Sequence, residues 1–501
     1  MDKTRLALAL LVTPGLVASS VAHAGGILVG EAGSQAQERG GAFVAKSDDP
    51  AALSLNPAGL VKARNIDVYV GVNLLHYSLD FQRIVTPQTT MGEPTSYPKV
   101  TNGANWQPIP EITVVEKLTP NLAIAEGLYV PQSSPNRDFP CVANANCTVD
   151  ASGTPAPQRY DIVHQEIIIV FPSLAVAYRV LPQLDLGVRA SWGIASIKGR
   201  NFTWAGNNHA EDPGFDGDFE ASTTDSMILS FGFGALYRPT DNVELGASFS
   251  TGGQVRSSGT GTATLGNKVI FPGIGQLHIE PVADSQAACA PGGTVAQLKT
   301  CIDFDLPRRA QLGGRYIFRD GRGRERADIE LDGRWEGHNA SSDVLVTVDG
   351  KDSSPLQLPL KPTLIRHGFD NVWSARLGGA YRFDVGANEG VTLRGGLAYD
   401  SAAAPDSWTR LDIDGRPRAT VAMGVAYDMP GWTFDIGLAV VAEPSVTVTR
   451  VPNSDPSFAN RSQPDPPQPL FTEGDQEFHP INEGTYTSGY LIGSMGITAS
   501  F

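Results

Sequence analysis

The sequence predicts an all-β fold: a fourteen-stranded antiparallel transmembrane β-barrel, closed by a small N-terminal helical hatch. Three observations carry this. From Ile66 to Phe501 apolar residues recur at every second position, the period of a strand with one apolar face. The connections alternate between short turns and long polar segments, as in outer-membrane barrels. The last strand puts Leu491, Gly493, Met495, Ile497, Ala499 and Phe501 on one face and ends on the aromatic.

The alternation is clearest at residues 431–442. Trp432, Phe434, Ile436, Leu438, Val440 and Ala442 share one face, and Thr433, Asp435, Gly437 and Ala439 the other. Residues 419–428 and 227–237 repeat it. Strands are expected to start near Ile66, Ile109, Asn121, Ile162, Leu184, Asp225, Val243, Asp305, Ala327, Phe369, Val391, Ala419, Trp432 and Thr485. Short turns fall at Thr119-Pro120, Leu181-Pro182-Gln183, Pro239–Asn242, Gly321–Gly323, Gly386–Asn388 and Met429-Pro430. The even strand number places both chain ends on the short-turn, periplasmic side.

Composition narrows the function. The chain has 501 residues, of which 18% are charged and 41% apolar. That excludes a long disordered chain, which needs low hydrophobicity and high charge. Only the N-terminus holds an apolar run of about 15 residues, and a spanning helix needs about 20, so a helical membrane bundle is excluded. The net charge of −15 without basic clusters argues against nucleic acid.

Residues 1–24 read as a signal peptide: Lys3 and Arg5, an apolar core Leu6 to Val21, then Ala22-His23-Ala24. Residues 25–64 are rich in Gly, Ala and Ser and do not alternate; they are the hatch. Asp48 or Asp49 can cap a short helix at Pro50, and Asn56 a second at Pro57. The barrel occupies 65–501. The expected location is the bacterial outer membrane, with lipid and the barrel assembly machinery as partners, and the barrel is expected to be a monomer.

Four cysteines in an exported chain read as disulfides. Cys141 with Cys147 and Cys289 with Cys301 each close a short external loop. No metal-ligand spacing is present, and no cofactor is expected. No nucleophile–base pair stands out, so an enzyme is not expected; His164 with Asp161 is the one candidate pair.

Charged residues fall on the inner face. The ninth strand carries Asp328, Glu330, Asp332, Arg334 and Glu336 at alternate positions, with Arg309, Arg315, Arg376, Arg382 and Arg394 on its neighbours. Strands about 4.8 Å apart let these pair across the wall. They form either a lattice that fixes the lumen or a charged conduction path.

Gly40-Gly41-Ala42-Phe43 and the run Asp48-Asp49-Pro50-Ala51-Ala52-Leu53-Ser54-Leu55-Asn56-Pro57-Ala58-Gly59-Leu60 resemble the plug segment of FadL-type (OmpP1/FadL/TodX) outer-membrane transporters. That family carries long-chain fatty acids and aromatic hydrocarbons. The resemblance continues through Leu174–Arg179, Leu377–Tyr381 and Leu397–Asp400. It implies passive uptake of hydrophobic small molecules, long-chain fatty acids first, with lateral exit beside a kinked third strand. Gly127 and Pro131 are its candidates for that kink. Gly25, Ile27, Leu28 and Asn56 would lie near the ligand, and Lys198, Arg200 and Arg366 would meet a carboxylate. By parity Arg366 points inward, whereas Lys198 and Arg200 point outward. The alternatives are a channel for neutral aromatic hydrocarbons and a general diffusion porin.

Overall fold

A computed structural model describes residues 30–84, 97–130, 134–139, 156–203, 213–282, 298–386, 388–448 and 482–501. Fourteen strands form the wall. They are β1 Ile66–Arg83, β2 Gln107–Thr119, β3 Leu122–Tyr129, β4 His164–Leu181, β5 Leu184–Thr203, β6 Gly217–Thr240 and β7 Val243–Ser250. Then follow β8 Arg309–Arg319, β9 Glu325–Glu336, β10 Val372–Asp384, β11 Gly390–Asp400, β12 Arg418–Met429, β13 Trp432–Ala442 and β14 Gly484–Ser500. Each pairs antiparallel with the next, and β14 closes on β1 from Asp67 opposite Ser500 to Arg83 opposite Gly484. Closure removes the free edges that a membrane would leave unsatisfied.

The expected strand starts hold within a few residues, except at two places. β6 begins at Gly217 rather than near Asp225, because its upper part pairs with a separate strand, Gly253–Leu265. A strand Leu298–Leu306 likewise stands above β8. These pieces, with Asp343–Asp352 and Thr363–Arg366, extend the wall beyond the barrel on the long-loop side.

The alternating faces explain the placement. Leu229, Phe231, Leu312, Leu331, Met423, Ile436 and Leu438 are exposed on the outer face, which faces lipid rather than water. Tyr178, Tyr237, Phe318, Tyr381, Phe383, Tyr427, Trp432 and Phe501 are exposed near the short turns, the belt where amphipathic rings meet the membrane boundary.

Residues 30–65 fill the lower lumen. Two short helices, Ser34–Glu38 and Ala52–Leu55, and a 3-10 turn Pro57–Lys62 are almost wholly buried. Asn56 caps that turn, its Oδ1 accepting from Ala58 N at 3.2 Å. At some inward positions the hatch backbone approaches the wall so closely that no side chain fits. A methyl group at Gly396 would collide with the Arg39 carbonyl, and one at Gly246 with the Val44 carbonyl.

A ligand cavity above an ion-clamped hatch

The inner charges of β9 do more than pair across the wall. Asp332 Oδ2 accepts from the backbone N–H groups of Phe43 and Val44 at 2.9 and 3.0 Å. Glu330 Oε1 accepts from Ala45 and Lys46 at 2.7 and 3.2 Å. Four hatch N–H groups therefore end on two carboxylates. Arg39 binds Asp328 and Glu330, and Arg334 forks onto Glu31 with two bonds of 2.7 Å. Arg376 also meets Glu31 at 3.2 Å, and Arg394 meets Glu38 at 2.7 Å. The lattice is thus shared between wall and hatch. Three of the expected arginines bind acids of the wall: Arg309 binds Glu336 at 2.9 Å, Arg315 binds Glu244 at 2.8 Å and Asp328 at 3.0 Å, and Arg382 binds Asp428.

Above the hatch the lining changes character. A cavity of about 410 Å³ is bounded by Ile162, Ile167, Ile169 and Val170 near β4, Ile197 of β5, and Ile302, Phe304, Leu306, Val344 and Val346 of the wall extension. Such a volume lies within the range of small-molecule sites, about 300–1,000 Å³. The roof is the segment after β11. Asp412 and Ile413 line the cavity. Arg410 there binds Asp161 at 2.9 Å, Leu411 N donates to Asp161 at 2.6 Å, and His367 Nε2 lies 2.9 Å from Asp412.

The cavity lies beside a place where the described wall is unpaired. β3 is short: its last pairs are Tyr129 with Glu111 of β2 and Tyr129 with Phe171 of β4. Above that level, among the described residues, Gln107–Pro110 and Glu166–Val170 have no strand between them. Trp106, Pro108, Pro110 and Ile168 line the cavity there, and Trp106 and Ile168 are also exposed outside. On that side no described residue pairs with Pro108 or Pro110, and a proline that cannot donate is tolerated at such an edge. These two alternate prolines are a signal of the gap that the reading of the third strand overlooked.

The expected site residues fare differently. Lys198 and Arg200 line the cavity, but each already has an acid: Lys198 Nζ lies 3.1 Å from Glu166, and Arg200 forks onto Asp218 at 2.8 and 3.0 Å. Arg366 ends a short strand with its side chain exposed. Ile365 lines the cavity in its place, because the strand is interrupted between Arg366 and β10 and parity does not carry across. Asn56 is fully buried, and its Nδ2 donates to the Val44 and Ala235 carbonyls, so its amide is engaged in fastening the hatch. The ladder runs through Gly127 without a shift on either side. A side chain there would strike Leu53 of the hatch. Gly25, Ile27, Leu28, Pro131, Cys141, Cys147 and Cys289 lie outside the described residues. Cys301 is bonded in a disulfide; the pairing expected for it, with Cys289, falls outside them too. His164 faces Asp138 at 3.6 Å while Asp161 is held by Arg410, so the two do not form an acid–base pair.

A family model described as "Outer membrane protein transport protein (OMPP1/FadL/TodX)" matches residues 15–463. The fold is similar to that of a Pseudomonas aeruginosa FadL homologue, with a TM-score of 0.69 at 15% identity, covering 95% of this chain and 100% of that one. It is similar to the P. putida toluene transporter TodX, with a TM-score of 0.62 at 15% identity over 94% and 99% of the two chains. It is also similar to the Ralstonia pickettii toluene transporter TbuX, with a TM-score of 0.60 at 13% identity over 94% and 98%. No curated protein sequence matches it. With a closed fourteen-stranded barrel and a family match over most of its length, the chain belongs to the OmpP1/FadL/TodX family of outer-membrane proteins that transport hydrophobic compounds.

Proposed function

We propose that this protein passes hydrophobic compounds across the outer membrane by passive diffusion, with long-chain fatty acids as the leading substrate class. The ligand comes from the outer side beneath the 401–416 roof and rests in the cavity. It leaves sideways above Tyr129 into the membrane. The observation that supports this reading is the apolar cavity lined by Pro108, Pro110 and Ile168, where no described strand joins β2 to β4. Burial of each CH₂ contributes roughly 0.8 kcal/mol, so an alkyl chain is held without specific polar contacts. The hatch blocks the direct way down, which argues against a general porin.

A neutral hydrocarbon is the second reading. It is favoured by the internal pairing of Lys198 and Arg200, which leaves neither cation at the rim uncompensated. The test is binding and uptake of oleate and of a neutral hydrocarbon by the parent and by an Ile197→Trp variant that fills the cavity. Both ligands should lose binding in the variant. Retained uptake of both would move the pathway elsewhere.

A further inference from the structure

A second, smaller pocket of about 60 Å³ lies between the hatch and the wall at β5–β8. Leu306 lines both it and the large cavity. Its polar lining includes Arg189, Arg309, Gln311, Ser230, Ser248, Ser250 and, from the hatch, Ser54, and none of its lining residues is acidic. A space of this size exceeds the ~10–15 Å³ that one water needs, and it admits a carboxylate group.

Arg189 differs from the arginines of the wall–hatch lattice, and resembles Arg137, which likewise bonds backbone carbonyls and stacks over a tyrosine. Arg315, Arg334, Arg376 and Arg394 each meet a carboxylate, and so does Arg309, through Glu336. Arg189 is 5% exposed. It donates through Nη1 to the Leu53 and Ser54 carbonyls and stacks over Tyr129 at 5.0 Å. Its Nε has no hydrogen-bond partner. Among the described residues no carboxylate lies within ion-pair distance of it. Buried charges are normally paired; the buried Glu111 carboxyl feels the Arg189 charge but makes no ion pair with it among the described residues.

We propose that Arg189 binds the carboxylate of an amphipathic ligand whose alkyl chain lies in the large cavity, with the head group held in the small pocket beneath Leu306. This rests on the uptake reading and deepens it, because it assigns the acid group a place that Lys198, Arg200 and Arg366 do not offer. The guanidinium supplies planar, charge-assisted donors, and the serines and Gln311 surround the head group.

The test compares oleate with oleyl alcohol, which has the same chain and a neutral head, on the full chain in detergent. Arg189→Gln keeps a donor for the hatch carbonyls but removes the charge. Oleate binding should weaken about ten- to a hundred-fold, the range expected for a hydrogen bond to a charged group, while the alcohol binds as before. Leu306→Trp, which enlarges the side chain bordering both cavity and pocket with Arg189 intact, should weaken oleate too. Unchanged oleate binding in either variant overturns the assignment. Equal loss of both ligands in Arg189→Gln also overturns it, since Arg189 would then only fasten the hatch. A parent that binds the alcohol but not oleate removes the acid subsite and leaves the uptake reading standing. A parent that binds neither removes both.

Discussion

β9 and the upper half of β4 face the same lumen and are built oppositely. β9 reads Asp328, Glu330, Asp332, Arg334, Glu336 at alternate positions, all buried against hatch or wall. β4 reads Glu166-Ile167-Ile168-Ile169-Val170-Phe171, where alternation disappears. The difference is what fills the lumen at each level. Below, the partner is a polypeptide with backbone N–H groups and charged side chains, so the wall supplies acids and arginines. Above, one face of the strand lines an apolar cavity and the other faces lipid, so both faces are apolar. One strand grips a resident segment; the other leaves room for a guest.

The largest expected effect comes from breaking the grip. Glu330→Ala with Asp332→Ala removes the acceptors of four hatch N–H groups and one acid of Arg39. Breaking a buried pair from one side costs about 3–5 kcal/mol, so the hatch should detach from the wall. Planar-bilayer conductance should be low for the parent and rise in this variant, as it should on deleting residues 25–64. A large open channel in the parent would favour a porin instead.

Next comes an inversion of the upper region. Ile169→Glu puts a charge where β4 is apolar and Ile169 is 6% exposed. No cation among the cavity-lining residues is spare to meet it, so ligand binding should be lost while the barrel persists. Heat-modifiable migration on gels reports the barrel, and ligand titration reports the cavity. Undiminished binding would show that the guest does not rest against β4.

Much of this contrast was legible in the sequence, but unevenly. Strand positions and the inner charge stripe follow from a strict two-residue period, which each lipid-facing strand must keep. The partner of that stripe was not legible. Alternation says which face a residue takes, not whether a hatch loop stands opposite, so wall–hatch bonds such as Arg334 to Glu31 were expected as wall–wall pairs. The cavity left a fainter trace, the loss of alternation at Ile167–Phe171, which is also how an ordinary buried strand reads. Arg366 was misplaced by parity because parity holds only within an unbroken strand.

A smaller effect concerns the rim of the upper region. Cys301 lies on the wall extension beside the cavity-lining Ile302, and pairing with Cys289 would tie the preceding loop to it. Closing a loop of that size stabilises by roughly 2–4 kcal/mol. Non-reducing peptide mapping should recover Cys289–Cys301 and Cys141–Cys147. A cross-link between the two loops would mean that they meet over the cavity mouth.

The smallest effect is a pH dependence of the grip. Burial pushes the carboxyl of Glu38 up to about 7 against the pull of Arg394, and burial with the neighbouring Asp48 pushes Asp49 up to about 7. Unfolded carboxyls titrate near 4. A raised folded pKa means that the docked hatch holds its protons more tightly than the released one. That contribution is complete below about pH 4 and is lost as pH rises through 7. Hydrogen exchange of residues 30–64 should therefore quicken modestly between pH 6 and 8, after correction for the intrinsic rate, while the strands around them stay protected. Glu38→Gln with Asp49→Asn should flatten that dependence, because an amide keeps its hydrogen-bonding shape and has no proton to lose. The apolar cavity above offers no such titration from its aliphatic walls. A ligand affinity that followed the same curve would mean that hatch and cavity move together rather than as two independent regions.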